Sequence, residues 1–389
     1  MPLLTSILLA FIAAPAWGQA PPVAPPILVG AAVSETGVLA PLAADYRRGL
    51  ILWQEGLNGA GGLLGRRVEL RLLDDESDAR RSGELYAQLI RDKVDLLIGP
   101  YGSAATLMAS AQTEAAQRVL INGAGASAAV HQRKPRYLFQ TTIPNAAYGV
   151  GIVEIAKAEG LASATILARD DHTVREMADT ARERAVDAGL KVTVVEAYSG
   201  GVLDYAPYVK KGRADAWIVF GELRDSAEIL RTLRKLGYAP RLFFARSAGD
   251  PRLINLVGQD AEFALGTREY DPKFRAHGNE QFAAAYAARW SAPPNFGAAQ
   301  GYAAGTVLAE AVRVTGSLDQ AKLRSSLGQM EIDTVLGGYK VDPESGEQRA
   351  TRPAVVQIRR GKPVVVWPEW LQASTVQPYP QWDERRILE

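Results

Sequence analysis

The chain has 389 residues, 47% apolar and 22% charged, which is long and apolar enough for two or three folded units. Forty-four basic against 43 acidic residues leave a formal charge of +1, so neither nucleic acid nor an anionic membrane is expected as a partner. The absence of cysteine excludes disulfides, thiol nucleophiles and cysteine-linked lipid anchors. With only three histidines and four methionines, we predict no metal site and no cofactor.

The first predicted element is an export signal. Residues 3–14 form an apolar run that is too short for a bilayer span of about 20 residues. Small residues follow the run, and cleavage after Gly18 is preferred because cleavage after Ala20 would place Pro21 in the scissile bond. No Lys or Arg precedes the run, so an apolar strand is the alternative, although prolines separate it from the rest of the chain. We predict a signal peptide over 1–18 and a periplasmic, soluble mature protein that is not a lipoprotein.

Strand-like and helix-like segments alternate from residue 27 onward. A short apolar run predicts a buried strand at 27–30, and further strands are predicted at 68–73, 95–98 and 119–121. Amphipathic stretches predict helices at 41–59, 78–91 and 104–117. Unbroken apolar strands that alternate with helices are typical of a parallel sheet covered on both faces.

After residues 137–139 the same pattern starts again, which predicts a second α/β unit. Its predicted strands are 164–168, 191–196, 215–220 and 241–244, and its predicted helices are 146–159, 174–188 and 225–236. Further helices are predicted at 279–290, 297–314 and 319–327, and β segments at 335–341, 354–359 and 364–367. Residues 371–389 contain prolines and aromatic residues, and we expect them to lie extended on a surface.

Motifs for catalysis were sought and are weak or absent. Residues 123–128 match the Gly-rich dinucleotide fingerprint, but they follow the fourth predicted strand, and no suitable acidic residue ends a later strand. A tight turn with free N–H groups facing a cleft is the preferred interpretation. The phosphate loop and the Gly-x-Ser-x-Gly elbow are absent. Three scattered histidines are interpreted as surface or loop residues: His131, His172 and His277.

Several segments together resemble the type I periplasmic binding proteins, in particular the leucine/isoleucine/valine-binding branch that serves ABC importers. Examples are DLLIGPYGSAAT at 95–106 and VLINGAGASAAV at 119–130, with further likeness at 47–82, 302–312 and 334–347. The likeness extends over residues 27–367. The tail at 364–385 resembles a subset often assigned to organic or aromatic acids.

The resemblance implies an α/β fold of two doubly wound lobes joined by three crossings. Lobe 1 is then formed by 27–141 plus 270–334, and lobe 2 by 142–269 plus 335–370, with residues 371–389 as an extended C-terminal tail. The crossings are expected near 139–142, 266–270 and 333–338. Three glycines at the later crossings are hinge candidates or turn glycines: Gly266, Gly337 and Gly338.

Ligands of open α/β sheets bind beyond the carboxyl ends of the strands. In lobe 1 the resemblance implies an anion pocket for a carboxylate at Ser103, Ala104, Ala124, Gly125 and Ser127. For the two serines, simple helix capping is the alternative. We expect Tyr101 and Tyr148 to line the cleft with apolar surface. The alternative is that they are ordinary half-buried tyrosines.

Lobe 2 departs from the amino-acid-binding pattern. Where such a family member places a carboxylate for the ligand's ammonium, this chain has Arg246 and Ser247, and where it commonly has a tyrosine, this chain has the segment that ends at Thr173. Glu222 is one candidate for the missing charge, although it alternatively favours the start of a helix. The preferred alternative is a ligand without ammonium, with Arg246 or Arg224 facing a second carboxylate or stacking on a ring.

We therefore expect a monomeric, non-enzymatic solute-binding protein that delivers a small carboxylate to an ABC permease with its ATPase subunits. A ligand sensor of the same fold that acts on a receptor or regulator is the second hypothesis. The third is a nicotinamide-dependent dehydrogenase that uses the glycine turn at Gly123. If the first 18 residues are not cleaved, a cytoplasmic regulator is a further alternative.

Overall fold

A computed structural model describes residues 24–201, 204–371 and 374–384, so the predicted signal peptide lies outside the described residues. The first sheet has five strands in the order β2-β1-β3-β4-β5, and all its pairings are parallel. The strands are β1 (Ile27–Ala32), β2 (Val68–Leu73), β3 (Leu96–Ile98), β4 (Leu120–Asn122) and β5 (Leu138–Gln140). Their alternation with helices confirms the predicted doubly wound lobe.

Helices from two distant parts of the chain cover this sheet. The first group is α1 (Ala40–Gly59), α2 (Ala79–Arg91) and α3 (Ser103–Ala115), and the second is α10 (Phe296–Thr315) and α11 (Gln320–Gln329). The helix α9 (Asn279–Trp290) packs on α1 and α10. The core under α1 and α10 joins Ile27, Leu50 and Val307, all of which are fully buried. Burial of these apolar faces stabilises lobe 1 from two chain segments.

The second sheet has seven strands in the order β14-β13-β10-β9-β8-β6-β7. Its parallel strands are β6 (Ser163–Arg169), β7 (Lys191–Tyr198), β8 (Ala216–Phe220), β9 (Leu242–Ala245) and β10 (Leu265–Arg268). The antiparallel edge consists of β13 (Ala354–Arg359) and β14 (Lys362–Trp367). The helices are α4 (Val150–Ala158), α5 (His172–Asp187), α6 (Ala206–Lys211), α7 (Leu223–Lys235) and α8 (Arg252–Val257).

Residues of the second and third predicted crossings form strands. Residues predicted to cross at 266–270 begin within β10, where a Cβ at Gly266 would lie 2.0 Å from the Gly249 nitrogen. Gly266 is therefore required for close packing. At 333–338 the chain instead forms a hairpin of β11 (Ile332–Thr334) and β12 (Gly337–Tyr339). Gly337 has a φ of 100°, as a turn glycine does.

The last crossing therefore comes later than the sequence indicates. Tyr339 and Val341, which the predicted boundary at 335 assigns to lobe 2, are buried in the core of the first sheet. The described part of the tail lies extended against lobe 2, where the Tyr379 N–H donates to the Arg241 carbonyl at 3.0 Å. Across the described ranges, no helix has the length and apolarity needed to cross a membrane.

Candidate functional site

The carboxyl ends of the parallel strands in the two sheets form the candidate cleft. In lobe 1, Ser103 begins the helix that follows β3, and Ser127 lies in the loop that follows β4. In lobe 2 the segments that follow β6, β8 and β9 contain Thr173 in the first turn of α5, Glu222 before α7, and Arg246. The carboxyl ends of parallel strands lie at one edge of a sheet. The side chains named for each lobe therefore lie on the same edge, although they are far apart in the sequence.

Ser103 begins α3, and its hydroxyl links the start of this helix to the loop that follows β4. The Ser127 N–H donates to Ser103 Oγ at 3.1 Å. Gly102, the residue before the helix, has a φ of 96°, which turns the chain sharply from β3 into α3. The first N–H groups of an α-helix lack intrahelical acceptors, and Ala104 in this first turn is an exposed residue, so the start of α3 can offer donors to an anion.

The glycine turn after β4 is packed and internally bonded. The Gly125 N–H donates to Asn122 Oδ1 at 2.7 Å, and the Gly125 carbonyl accepts from Asn122 Nδ2 at 2.8 Å and from Gln140 Nε2 at 2.9 Å. A Cβ at Gly125 would lie 2.7 Å from Thr106 Oγ1. The expectation of a free N–H at Gly125 is therefore wrong, because this N–H donates to the side chain of Asn122. Ala124 beside it is also buried.

Glu176, a residue of α5 that the sequence analysis missed, enters the predicted anion pocket. Its Oε1 accepts from the Ala128 N–H at 2.6 Å, and its Oε2 accepts from Ser127 Oγ at 3.0 Å and from Asn145 Nδ2 at 3.1 Å. Ser127 and Glu176 are 49 residues apart, so no local spacing signals the contact. Part of the predicted anion pocket is therefore occupied by a carboxylate of the chain itself, and its preference for a ligand carboxylate stays a prediction.

Arg246 and Tyr148 form the second part of the candidate cleft. The Arg246 guanidinium carbon lies 5.3 Å from the centre of the Tyr148 ring, and Arg246 Nη2 lies 3.5 Å from Glu269 Oε1. Burial, with a further contribution from Glu269, holds the pKa of Tyr148 well above its ordinary value. The Tyr148 side chain is therefore neutral and buried, and its ring packs against the Arg246 guanidinium.

A cavity of about 370 Å³ lies beside Arg246 at the strand ends of lobe 2. Thr173 is exposed there, and its N–H donates to Asp171 Oδ1 at 2.9 Å, which caps α5. Glu222 lines the same cavity, but its Oε1 lies 2.5 Å from Arg169 Nη1. The Glu222 charge is therefore already met by a cation.

Ser247 turns toward α7 instead of the cavity of Arg246 and Glu222. Its Oγ lies 2.6 Å from the hydroxyl of Ser226. The structure thus places Thr173, Glu222 and Arg246 at one cavity. Ser247 does not line this cavity, because its hydroxyl is hydrogen-bonded to Ser226. The roles of all these residues toward a ligand stay predictions.

Tyr101, which follows β3, packs against a ring of α1. Tyr101 is half-buried and meets Tyr46 edge-to-face with ring centroids 6.0 Å apart. Burial raises the pKa of Tyr101. Val38 and Leu42, which the sequence analysis did not single out, are 85% and 57% exposed near the start of α1. The amphipathic pattern of a helix does not distinguish these exposed apolar side chains from those of an ordinary helix start.

His131 is a correction to the expectation of a surface histidine. It is 4% exposed, its Nδ1 lies 2.8 Å from the Ser345 carbonyl, and burial lowers its pKa to about 4. His172 and His277 are exposed, as expected. Over the described ranges, no group of three histidine or carboxylate side chains is arranged to hold a metal ion.

Comparison with known proteins gives the same fold and family. The model of the periplasmic binding protein family matches residues 26–362. The amino acid binding protein of Pseudomonas aeruginosa is 26% identical, and the match covers 81% of this chain and 86% of that protein.

Two solved structures show the fold with different ligands. An ABC transporter substrate-binding protein from Desulfitobacterium hafniense in complex with Leu is 19% identical with a TM-score of 0.71, covering 87% of this chain and 99% of that one. A solute-binding protein of an ABC transporter from Rhodopseudomonas palustris, in complex with 3,4-dihydroxybenzoic acid, is 22% identical with a TM-score of 0.66, covering 86% and 93%. The resemblance found in the sequence is confirmed: the chain belongs to the periplasmic binding protein family.

Proposed function

We propose that this protein is an exported, monomeric solute-binding protein that captures a small carboxylate-bearing molecule between its lobes and delivers it to an ABC importer. The observation that carries the proposal is the placement of polar donors at the strand ends of both sheets. Ser103 and the N-terminus of α3 are on lobe 1, and the cavity of Arg246 is on lobe 2.

In this proposal the ligand's carboxylate binds at Ser103 and Ala104. The Ser103 hydroxyl keeps a donor because its oxygen already accepts from Ser127, and the start of α3 adds backbone N–H groups and a favourable dipole. Ser127 and Ala128 are less available, because they donate to Glu176. The α3 end of the predicted pocket is therefore the preferred carboxylate position.

We further propose that the ligand lacks an ammonium group. The Glu222 carboxylate is paired with Arg169, so an ammonium would have to displace a cation to reach it. Arg246 packs against Tyr148, and its contact with Glu269 at 3.5 Å is longer than the 2.5 Å contact of Arg169 with Glu222, so Arg246 suits a second carboxylate or an aromatic ring. The ligands in the Desulfitobacterium and Rhodopseudomonas complexes, leucine and 3,4-dihydroxybenzoic acid, share a carboxylate and differ in the ammonium.

Thermal unfolding of the mature chain, starting after residue 18, tests the proposal against amino acids, dicarboxylates, aromatic acids and amides. A ligand at 100 to 1,000 times its Kd stabilises the folded state by about 3–4 kcal/mol, which raises the Tm by several degrees. Ser103→Ala should abolish most of that shift. Ser110→Ala is the matched control, because Ser110 lies on the same helix and donates to the Leu107 carbonyl.

The possible results separate the parts of the proposal. A shift only with ammonium-free acids supports the ligand class, and a shift with a free amino acid would show that a carboxylate such as Glu222 meets the ammonium. If no carboxylate shifts the Tm, or if the protein turns over a small ester, amide or hydroxy acid, solute capture is overturned.

A further inference from the structure

Glu176 belongs to lobe 2 but is bonded to lobe 1. It lies on α5, which packs on the second sheet, whereas Ser127 and Ala128 follow β4 of the first sheet. The third donor, Asn145, lies just beyond the first crossing and is 4% exposed. A single carboxylate therefore connects both lobes and the segment that joins them.

Two of the residues that donate to Glu176 are also held in place by hydrogen bonds of their own backbone N–H groups. The Asn145 N–H donates to the Ala126 carbonyl at 2.9 Å, and the Ser127 N–H is held by Ser103 Oγ at 3.1 Å. Hydrogen bonds from fixed donors to a charged acceptor are stronger than neutral ones. Ser127, Ala128 and Asn145 are the groups that donate hydrogen bonds to the Glu176 carboxylate within the described ranges.

We propose that Glu176 is an interlobe latch that holds the two lobes together in the absence of ligand. Moving α5 away from lobe 1 must break the bonds to Ser127 and Ala128, so the latch shifts the equilibrium toward the closed arrangement. The latch rests on the proposed function only in that closure serves ligand capture. The latch then affects the apparent affinity for the ligand, because that affinity depends on the fraction of the protein that is in the binding-competent arrangement.

The natural absence of cysteine makes the latch directly measurable. Ala111→Cys on α3 and Lys235→Cys on α7 are both exposed and place one spin label on each lobe. The distance distribution is measured by pulsed electron spin resonance on protein refolded from denaturant, which removes any carried-over ligand. We expect Glu176→Gln to raise the ratio of long to short distances by about tenfold, since one charged acceptor is lost.

Glu183→Gln is the matched control, because it makes the same charge change on the same helix at an exposed side chain. It should leave the distances unchanged. Ser127→Ala removes one donor from lobe 1 and should move the distribution in the same direction as Glu176→Gln, with a less than additive effect when the two are combined. This variant carries the test if Glu176→Gln does not fold.

Identical distributions in the wild type and a folded Glu176→Gln or Ser127→Ala variant would overturn the latch. An equal shift with Glu183→Gln would do so too, since it would show a general charge effect. Because the measurement uses no ligand, failure of the latch leaves the proposed solute capture intact, and failure to find a ligand leaves the latch test valid.

Discussion

The backbone carbonyl of Tyr46 on α1 lies directly against Gly301 on α10. A Cβ added at Gly301 would come within 2.1 Å of that oxygen, and a Cβ at Gly49 would come within 2.0 Å of the Ala298 carbonyl. Two helices from opposite ends of the chain thus touch through their backbones. This contact closes lobe 1, because α10 covers the sheet that the first 140 residues form.

Gly301→Ala should therefore destabilise the protein by about 1–3 kcal/mol, the usual cost of overpacking a core. Urea unfolding measures the loss. Gly297→Ala on the same helix is the control, since its nearest neighbouring atom would be 3.4 Å from the new Cβ. It should be neutral or slightly stabilising because alanine favours helices. Equal stability of the two variants would contradict the close contact at Gly301.

The unfolding free energy should fall as the pH drops from 6.5 to 4, because of His131. Burial, followed by the charge of Arg349, lowers the pKa of His131 to about 4 against the Ser345 carbonyl, so only the unfolded chain takes up a proton in this window. The stability is fully present above pH 6.5 and decreases by up to about 3 kcal/mol as the pH approaches 4.

Urea unfolding at several pH values, compared between wild type and His131→Gln, isolates this contribution from that of the carboxylates. The variant should be less stable at pH 7 and should depend less on pH between 4 and 6.5. His277→Gln, at an exposed position, should retain the wild-type dependence. An unchanged slope in His131→Gln would contradict a neutral, buried His131.

Asp225→Ala should cost about 3 kcal/mol, because it leaves buried donors without an acceptor. The Asp225 carboxylate accepts from Tyr198 Oη at 3.1 Å, from Tyr205 Oη at 3.2 Å and from the Glu222 N–H at 2.9 Å. Glu228→Ala on the same helix removes only an exposed ion pair with Arg231 and should cost less than about 1 kcal/mol. A similar loss in both variants would argue against the buried cluster.

Tyr379→Ala should destabilise lobe 2 by about 3 kcal/mol, as expected for removal of a buried aromatic side chain. Tyr379 is 3% exposed, and its ring centroid lies 6.1 Å from that of Phe243. Asp383→Ala, at an exposed position of the same tail, should change little. If thermal unfolding shows no loss for Tyr379→Ala, the tail does not contribute to the core of lobe 2.

Local patterns in the sequence were sufficient to predict most elements of the fold. Residues 68–73 and 279–290 were predicted with the bounds of β2 and α9, because strands and helices carry their periodicity in adjacent residues. β10 was missed as a strand, since its four residues include Gly266, which a sequence pattern cannot distinguish from a hinge. α6 and α8 have six residues each, too few to show a helical period.

The sequence by itself determined the fold class, the family and the strand ends at which a ligand site is expected, because these follow from periodicity and from ordered local motifs. Only the tertiary structure decided which donors are already used. Ser127 meets Glu176, Gly125 meets Asn122 and Gln140, and Ser247 meets Ser226. A hydrogen bond depends on where two groups lie in space, and for the pair of Ser127 and Glu176 that position is set by the packing of two separate sheets.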